Sequence, residues 1–127
     1  MSEIVLDASV VLAAILEEPG HEVMLELRDA ALMSAVNLAE ARTRLIDHGY
    51  DRQSIDTSIG LLNIKVIDFD TELAVMSAEL RPATRAAGLS LGDRACLALA
   101  LKLGAVALTA DRAWAGIETA VEVRVVR

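Results

Sequence analysis

Five aspartates in this chain stand where a carboxylate can do chemistry. Asp7 closes the run EIVLD, Asp68 and Asp70 bracket Phe69 at the end of IKVIDF, Asp111 follows AVALTA, and Asp93 heads the apolar segment GLSLGDRACLALA. Each position also opens a helix, where an Asp side chain accepts from orphan N–H groups, and Ser90 stands at capping-box spacing from Asp93. The set says more than its members. If the strands before Asp7 and Asp111 are parallel neighbours, both carboxylates project into one crevice. Carboxylates a few ångströms apart raise each other's pKa unless a cation intervenes, and a hard cation such as Mg²⁺ is held by oxygen ligands alone. A site of that kind activates water and clamps phosphate oxygens.

Other chemistries find no residues to carry them. His21 and His48 are isolated, and no His/Cys pair has zinc-ligand spacing. Gly88 and Gly92 are followed by neither the lysine nor the spacing of a phosphate-binding loop, and no Ser-His-Asp set suggests itself. Cys96 is the one cysteine, which excludes a disulfide framework and predicts a buried, inert thiol.

The elements that must position the acids alternate between strand and helix. EIVLD (3–7) reads as a strand, ASVVLAAILEE as a helix stopped by Pro19-Gly20, HEVMLELRDA (21–30) as a second helix with Val23, Leu25 and Leu27 inward, and ALMSA (31–35) as a short strand. Helices follow over 36–49 and 51–63, then a strand over 64–69. A long helix over 70–87 should bend near Pro82, with Asp68 and Asp70 at its head. A helix over 90–103 ends at Gly104, and AVALT is a buried strand; DRAWAG is a helical turn and VEVRVV (121–126) a last strand. Near-continuous apolar strands between helices predict an α/β three-layer sandwich. Its central sheet is mainly parallel, with four to five strands flanked by helices, and ligands bind beyond the strands' carboxyl ends.

Composition bounds the rest. The 127 residues suit one domain over 1–127, without linker or repeat. The chain is 54% hydrophobic, yet its apolar runs fall short of the roughly 18 residues of a membrane span. The amino terminus carries Glu3 and Asp7 and no basic region, so a cytoplasmic location is expected rather than export. A net charge of −7 means that any nucleic acid must be held locally, by arginine rather than by the overall field. Ten arginines stand against Lys65 and Lys102, and three aromatic residues make base stacking a poor route to recognition. The high apolar fraction also predicts an exposed patch used in association.

Four segments in order, LDASVVLAAIL, SAVNLAEARTRL, GLSLGDRACLALALKLG and LTADRAW, resemble the PIN domain and in particular the VapC-type ribonuclease toxins of bacterial toxin-antitoxin pairs. The resemblance runs from Ile4 to Trp114. It implies an Mg²⁺- or Mn²⁺-dependent endoribonuclease acting on structured RNA, whose products carry a 5′-phosphate and a 3′-hydroxyl. It places the acidic metal ligands at Asp7, Glu40, Asp93 and Asp111, with Ser9 and Thr109 orienting ligands or water from behind. Asp68 and Asp70 match no ligand and remain helix caps. Arg85, Arg94 and Arg112 lie close in sequence to these acids and are candidates for holding RNA phosphates. The implied partners are a VapB-type antitoxin, whose basic side chain suits an acidic cleft, and a second copy of the chain in a homodimer.

Glu40 is a ligand by resemblance only. Helical periodicity groups it with Val36, Thr43 and Arg44, away from the Leu38, Ala41 and Leu45 face, which describes a solvated Glu40–Arg44 pair. Other readings are a PIN-like nuclease that is no toxin, a silent binding module, and, least favoured, a response-receiver module. The last wants an acidic pair after the first strand and a lysine near the last strands, and Asp7 has no such partner.

Overall fold

The computed structural model describes residues 3–27 and 30–126. Among these residues five strands pair in parallel in the order β3-β2-β1-β4-β5. They are β1 (Ile4–Leu6), β2 (Ala31–Ser34), β3 (Lys65–Ile67), β4 (Val106–Thr109) and β5 (Val123–Val125). Side chains alternate across the sheet with a period of two, so the three central strands feed two cores. Val5, Leu32 and Ala107 join one core, and Leu6, Ala31, Met33 and Leu108 the other. The first core is completed by α5 (Thr71–Glu79) and α7 (Leu91–Leu103), the second by α1 (Ala8–Leu16), α3 (Ala35–Asp47) and α4 (Arg52–Gly60). This is the expected three-layer sandwich, with a fully parallel sheet.

Strand order creates the crevice. The chain steps outward from β1 to β2 and β3, then returns to the far side of β1 to lay down β4 and β5. The strands between which the direction of travel reverses, β1 and β4, leave a gap beyond their carboxyl ends, where open α/β sheets bind ligands. Their register pairs Leu6 with Leu108, and the Asp7 amide donates to the Leu108 carbonyl at 2.9 Å. Asp7 is therefore the first residue past the ladder, and Asp111 follows two residues after β4.

Among the helices α7 is the most enclosed. Every residue from Ala95 to Ala100 is buried, because the helix packs on α5, on α3 and on the sheet. A helix apolar on all sides belongs in such a position. Its ends are set locally: Ser90 and Asp93 form a capping box, and Gly104 closes it in the left-handed region at φ 63°.

Two elements and one expected helix cap depart from expectation. The helix expected over 21–30 is a 3₁₀ turn (His21–Val23) followed by α2 (Met24–Leu27), with Arg28 and Asp29 outside the described residues. Val23, Leu25 and Leu27 cannot share a helical face, since they repeat every two residues; Leu27 is buried and Leu25 is 81% exposed. The long helix over 70–87 is broken rather than bent. α5 stops at Leu80, and α6 (Arg81–Thr84) restarts with Pro82 in its first turn, where a missing N–H costs no ladder bond. Of the two acids placed at its head, Asp70 caps α5 through the Leu73 amide at 2.9 Å, whereas Asp68 is exposed and not the cap. Cys96 is buried and unpaired with another cysteine, as expected. Among the described residues no helix is long and apolar enough to cross a membrane.

The core assignment has a direct test. Leu97→Ala, in the enclosed part of α7, should lower the unfolding free energy by about 2–5 kcal/mol in urea titrations. Leu25→Ala should change it by less than about 0.5 kcal/mol.

Candidate active site

Asp7 anchors the crevice. Its Oδ2 accepts from Ser9 Oγ at 2.7 Å and from Thr109 Oγ1 at 3.0 Å. Both hydroxyl oxygens accept in turn from backbone: Ser9 from the Ala110 amide at 2.9 Å, Thr109 from the Asp111 amide at 3.0 Å. Each hydroxyl has one proton, and both protons go to Asp7, so the 3.3 Å approach of Ser9 to Thr109 is a contact between two acceptors. The loop after β4 is thereby tied to the carboxylate after β1. Asp7 occupies the N-cap position of α1 yet makes no side-chain capping bond.

Asp93 and Glu40 reach the same cleft from two helices. Asp93 Oδ2 accepts from the Ser90 amide at 2.9 Å, and the Asp93 amide donates to Ser90 Oγ at 3.2 Å, so the carboxylate is both a cap and a wall of the cleft. Glu40 is half-buried rather than a solvated surface acid. Its Oε1 accepts from Asn37 Nδ2 at 3.0 Å, and the same amide nitrogen donates to the Gly92 carbonyl at 2.9 Å. Asn37 is fully buried and was not singled out by sequence; an asparagine one turn before a candidate acid is the signal that could have found it.

The cleft, about 240 Å³, is lined by Asp7, Ser9, Glu40, Arg44, Ser90, Asp93 and Asp111, with Ala8 and Leu12 as its apolar wall. Asp111 sits at the rim, exposed, with Oδ1 accepting from the Ala113 amide at 2.9 Å and capping the 3₁₀ turn Arg112–Gly116. Among the described residues Arg44 is the arginine that lines the cleft, through the same i, i+4 spacing that suggested a surface pair with Glu40. Of the three arginines proposed from sequence, Arg112 borders an adjoining hollow with Ser9, Ala110 and Asp111. Arg85 is exposed beyond α6 and does not line the cleft. Arg94 is turned to α5, donating to the Ser77 carbonyl at 3.0 Å, and does not line the cleft.

The PIN domain family model matches residues 4–119. The chain belongs to the PIN domain family. Solved structures similar to this PIN domain include VapBC2 from Rickettsia felis bound to a promoter DNA fragment. That match has 19% identity and a TM-score of 0.74, and covers 95% of this chain and 96% of that one. DNA-bound VapBC from Salmonella typhimurium matches at 19% identity and a TM-score of 0.71, over 100% of both chains. Mycobacterium tuberculosis VapC20, described as a sarcin-ricin loop cleaving toxin, matches at 17% identity and a TM-score of 0.70, over 91% of this chain and 97% of that one. No curated protein matches the chain.

Electrostatics in this PIN domain centre on Asp7. Burial pushes its carboxyl from an ordinary 3.8 to about 6; the Ser9 bond opposes the rise, Asp93 adds to it by repulsion, Thr109 opposes it and Glu40 adds. Glu40 is raised as well, first by burial, against the Asn37 bond, then by Asp93, with Arg44 opposing. Burial pushes the Cys96 thiol far up, with the charges of Asp7, Asp93 and Glu40 contributing. Among the described residues no three His, Cys, Asp or Glu side chains are already gathered into a metal cage. The donor set nonetheless fits a hard divalent cation in chemistry and in charge. It is all oxygen, mutually repelling and partly desolvated.

The buried charge on Asp7 makes stability depend on pH. Between about 4 and 6 the folded state retains a proton that the unfolded chain has lost, so stability falls as pH rises through that window. Above pH 7 the deficit is fully present, roughly 3 kcal/mol for a shift of this size. Asp7→Asn, measured by thermal unfolding in a chelator, should therefore be more stable than the native chain at pH 8. The difference should close by about pH 4.

Proposed function

We propose that this PIN domain is an endoribonuclease that hydrolyses RNA phosphodiester bonds with Mg²⁺ or Mn²⁺, and that it is the toxin of a type II toxin-antitoxin pair. One observation carries the reading: Asp7, Glu40, Asp93 and Asp111, from four separate segments, line one switch-point cleft together with Arg44. The same four acids would hold the cation. A divalent ion bound there supplies a lowered pKa for water and neutralises charge that builds up on the phosphate. Toxin status is supported by the VapBC complexes among the similar structures, and structured RNA by the loop-cleaving description of VapC20.

The chain's own groups divide the remaining work. The Ser9 hydroxyl, which donates to Asp7 and accepts from the Ala110 amide, orients that carboxylate and is not the attacking group. Water is the nucleophile instead. Its oxygen bonds to phosphorus, the bond from phosphorus to the 3′ oxygen breaks, and the departing oxygen gains a proton, leaving a 5′-phosphate and a 3′-hydroxyl. Ser9 and Thr109 lock the rotamer of Asp7, and Arg44 holds a phosphate oxygen against the cleft. Arg112 at the rim extends that contact along the strand. With a net charge of −7, these local arginines rather than the overall field retain the RNA. The same acidic cleft accepts a basic side chain of a VapB-type antitoxin, and we place the protein in the cytoplasm as a homodimer.

Purified protein freed of antitoxin should cleave structured RNA with Mg²⁺ or Mn²⁺ and stop in EDTA. Asp7→Asn and Asp93→Asn should each reduce cleavage on the order of 10²–10³-fold, the scale of removing one preorganised charge-stabilising group. Arg44→Ala should act mainly on KM. Native-level cleavage by both aspartate variants would refute the assignment.

A further inference from the structure

We infer that Asn37 and Gly92 are a matched pair of positioning residues that set the Glu40 carboxylate in the cleft and couple it to Asp93; this rests on the proposed metal-dependent reading of the site. The first half of the argument is polarity. Asn37 is fully buried, and its Nδ2 donates to two acceptors, Glu40 Oε1 at 3.0 Å and the Gly92 carbonyl at 2.9 Å. An amide nitrogen has two protons, one for each, and the opposite orientation would set an oxygen against two oxygens. Neighbouring acceptors therefore fix the side chain. Its Oδ1 has no hydrogen-bond partner among the described residues, so the hydrogen bonds that place this buried side chain are those of its nitrogen.

The second half is space. Gly92 lies inside α7 with no left-handed backbone angle to explain a glycine, at a site where alanine is the better helix former. A Cβ built there would overlap Glu40: its three nearest atoms are Oε1, Cδ and Oε2 of that carboxylate. The missing side chain is the space that Glu40 occupies.

The two halves meet in one peptide unit. The carbonyl of Gly92 accepts from Asn37, and the amide on its other side, that of Asp93, donates to Ser90 Oγ. The bond preceding Asp93 is thus gripped on both sides, once from α3 and once from its own cap. Glu40 and Asp93 carry like charge and line the same cleft, so they repel. Asn37 ties the Glu40 carboxylate to the backbone just before Asp93, and the absent side chain at Gly92 leaves the room that this carboxylate occupies.

The test is Mn²⁺ binding to the full chain without RNA, by calorimetry, with unfolding in a chelator as the control for folding. Asn37→Asp keeps the shape and removes both donated hydrogen bonds, and Gly92→Ala fills the space while favouring the helix. Each should weaken Mn²⁺ binding about 10–100-fold, the scale for groups that orient metal ligands. Gly92→Ala should not weaken it further when added to Glu40→Ala, because it acts through that carboxylate. Gly92→Ala with native Mn²⁺ affinity, or an equal loss in the Glu40→Ala background, overturns the inference. If the native chain binds no Mn²⁺, the metal-dependent reading itself fails and the inference with it. If native affinity is measurable and only the Glu40→Ala variant loses it, the site reading stands and the pairing is wrong.

Discussion

Burial of the Asp7 carboxylate at the end of β1 is the constraint on which the rest of the site depends. A charge taken out of water needs hydrogen bonds, and Asp7 draws two from hydroxyls on different segments. Those hydroxyls are fixed by amides of the loop after β4, so the carboxylate, α1 and the β4 loop form one rigid unit. Even so, the bonds do not restore what burial removes, and the carboxyl remains well above its ordinary range. The fold tolerates an unfavourable charge where strand order has opened a crevice. Local strain of this kind in an otherwise consistent structure is a mark of function.

Helix α7 links that charge to the packing. Its middle is an unbroken buried stretch seated on the sheet and on two helices, which fixes the height of its first turn above β1 and β4. The first turn then carries Ser90, Gly92 and Asp93: a cap, a space and an acid. Capping and lining the cleft are not rival roles for Asp93. The capping box holds its Oδ2 at the Ser90 amide, and a carboxylate held that way is preorganised. Asp111 repeats the pattern at the rim, where one oxygen caps the 3₁₀ turn.

Much of this was legible in the sequence. The apolar strands, the glycine and proline stops, and the acids after strands gave the element order and the edge at which to look. The misjudged elements had local causes. Residues 23, 25 and 27 repeat with the period of a strand inside a helical segment, and Pro82 permits either a kink or a fresh start, a choice made by the packing of α5 and α6. Glu40 was harder. Periodicity sorts residues by one buried face per helix, and α3 has a second contact, with the N-terminal turn of α7, that no single-helix pattern encodes.

What the sequence determined alone was the inventory of groups: carboxylates after strands, no His/Cys pair at zinc-ligand spacing, no phosphate-loop motif, a single cysteine and an alternating α/β chain. Those follow from residue type and local spacing, which are properties of short segments. Tertiary structure decided which acids meet, which arginine faces them and why a glycine stands in a helix. Arg44 and Arg94 look alike in sequence, each a cation on a helix near an acid. One lines the cleft and the other hydrogen-bonds to α5, because helix rotation about its axis is set by the whole buried face, not by the residue itself.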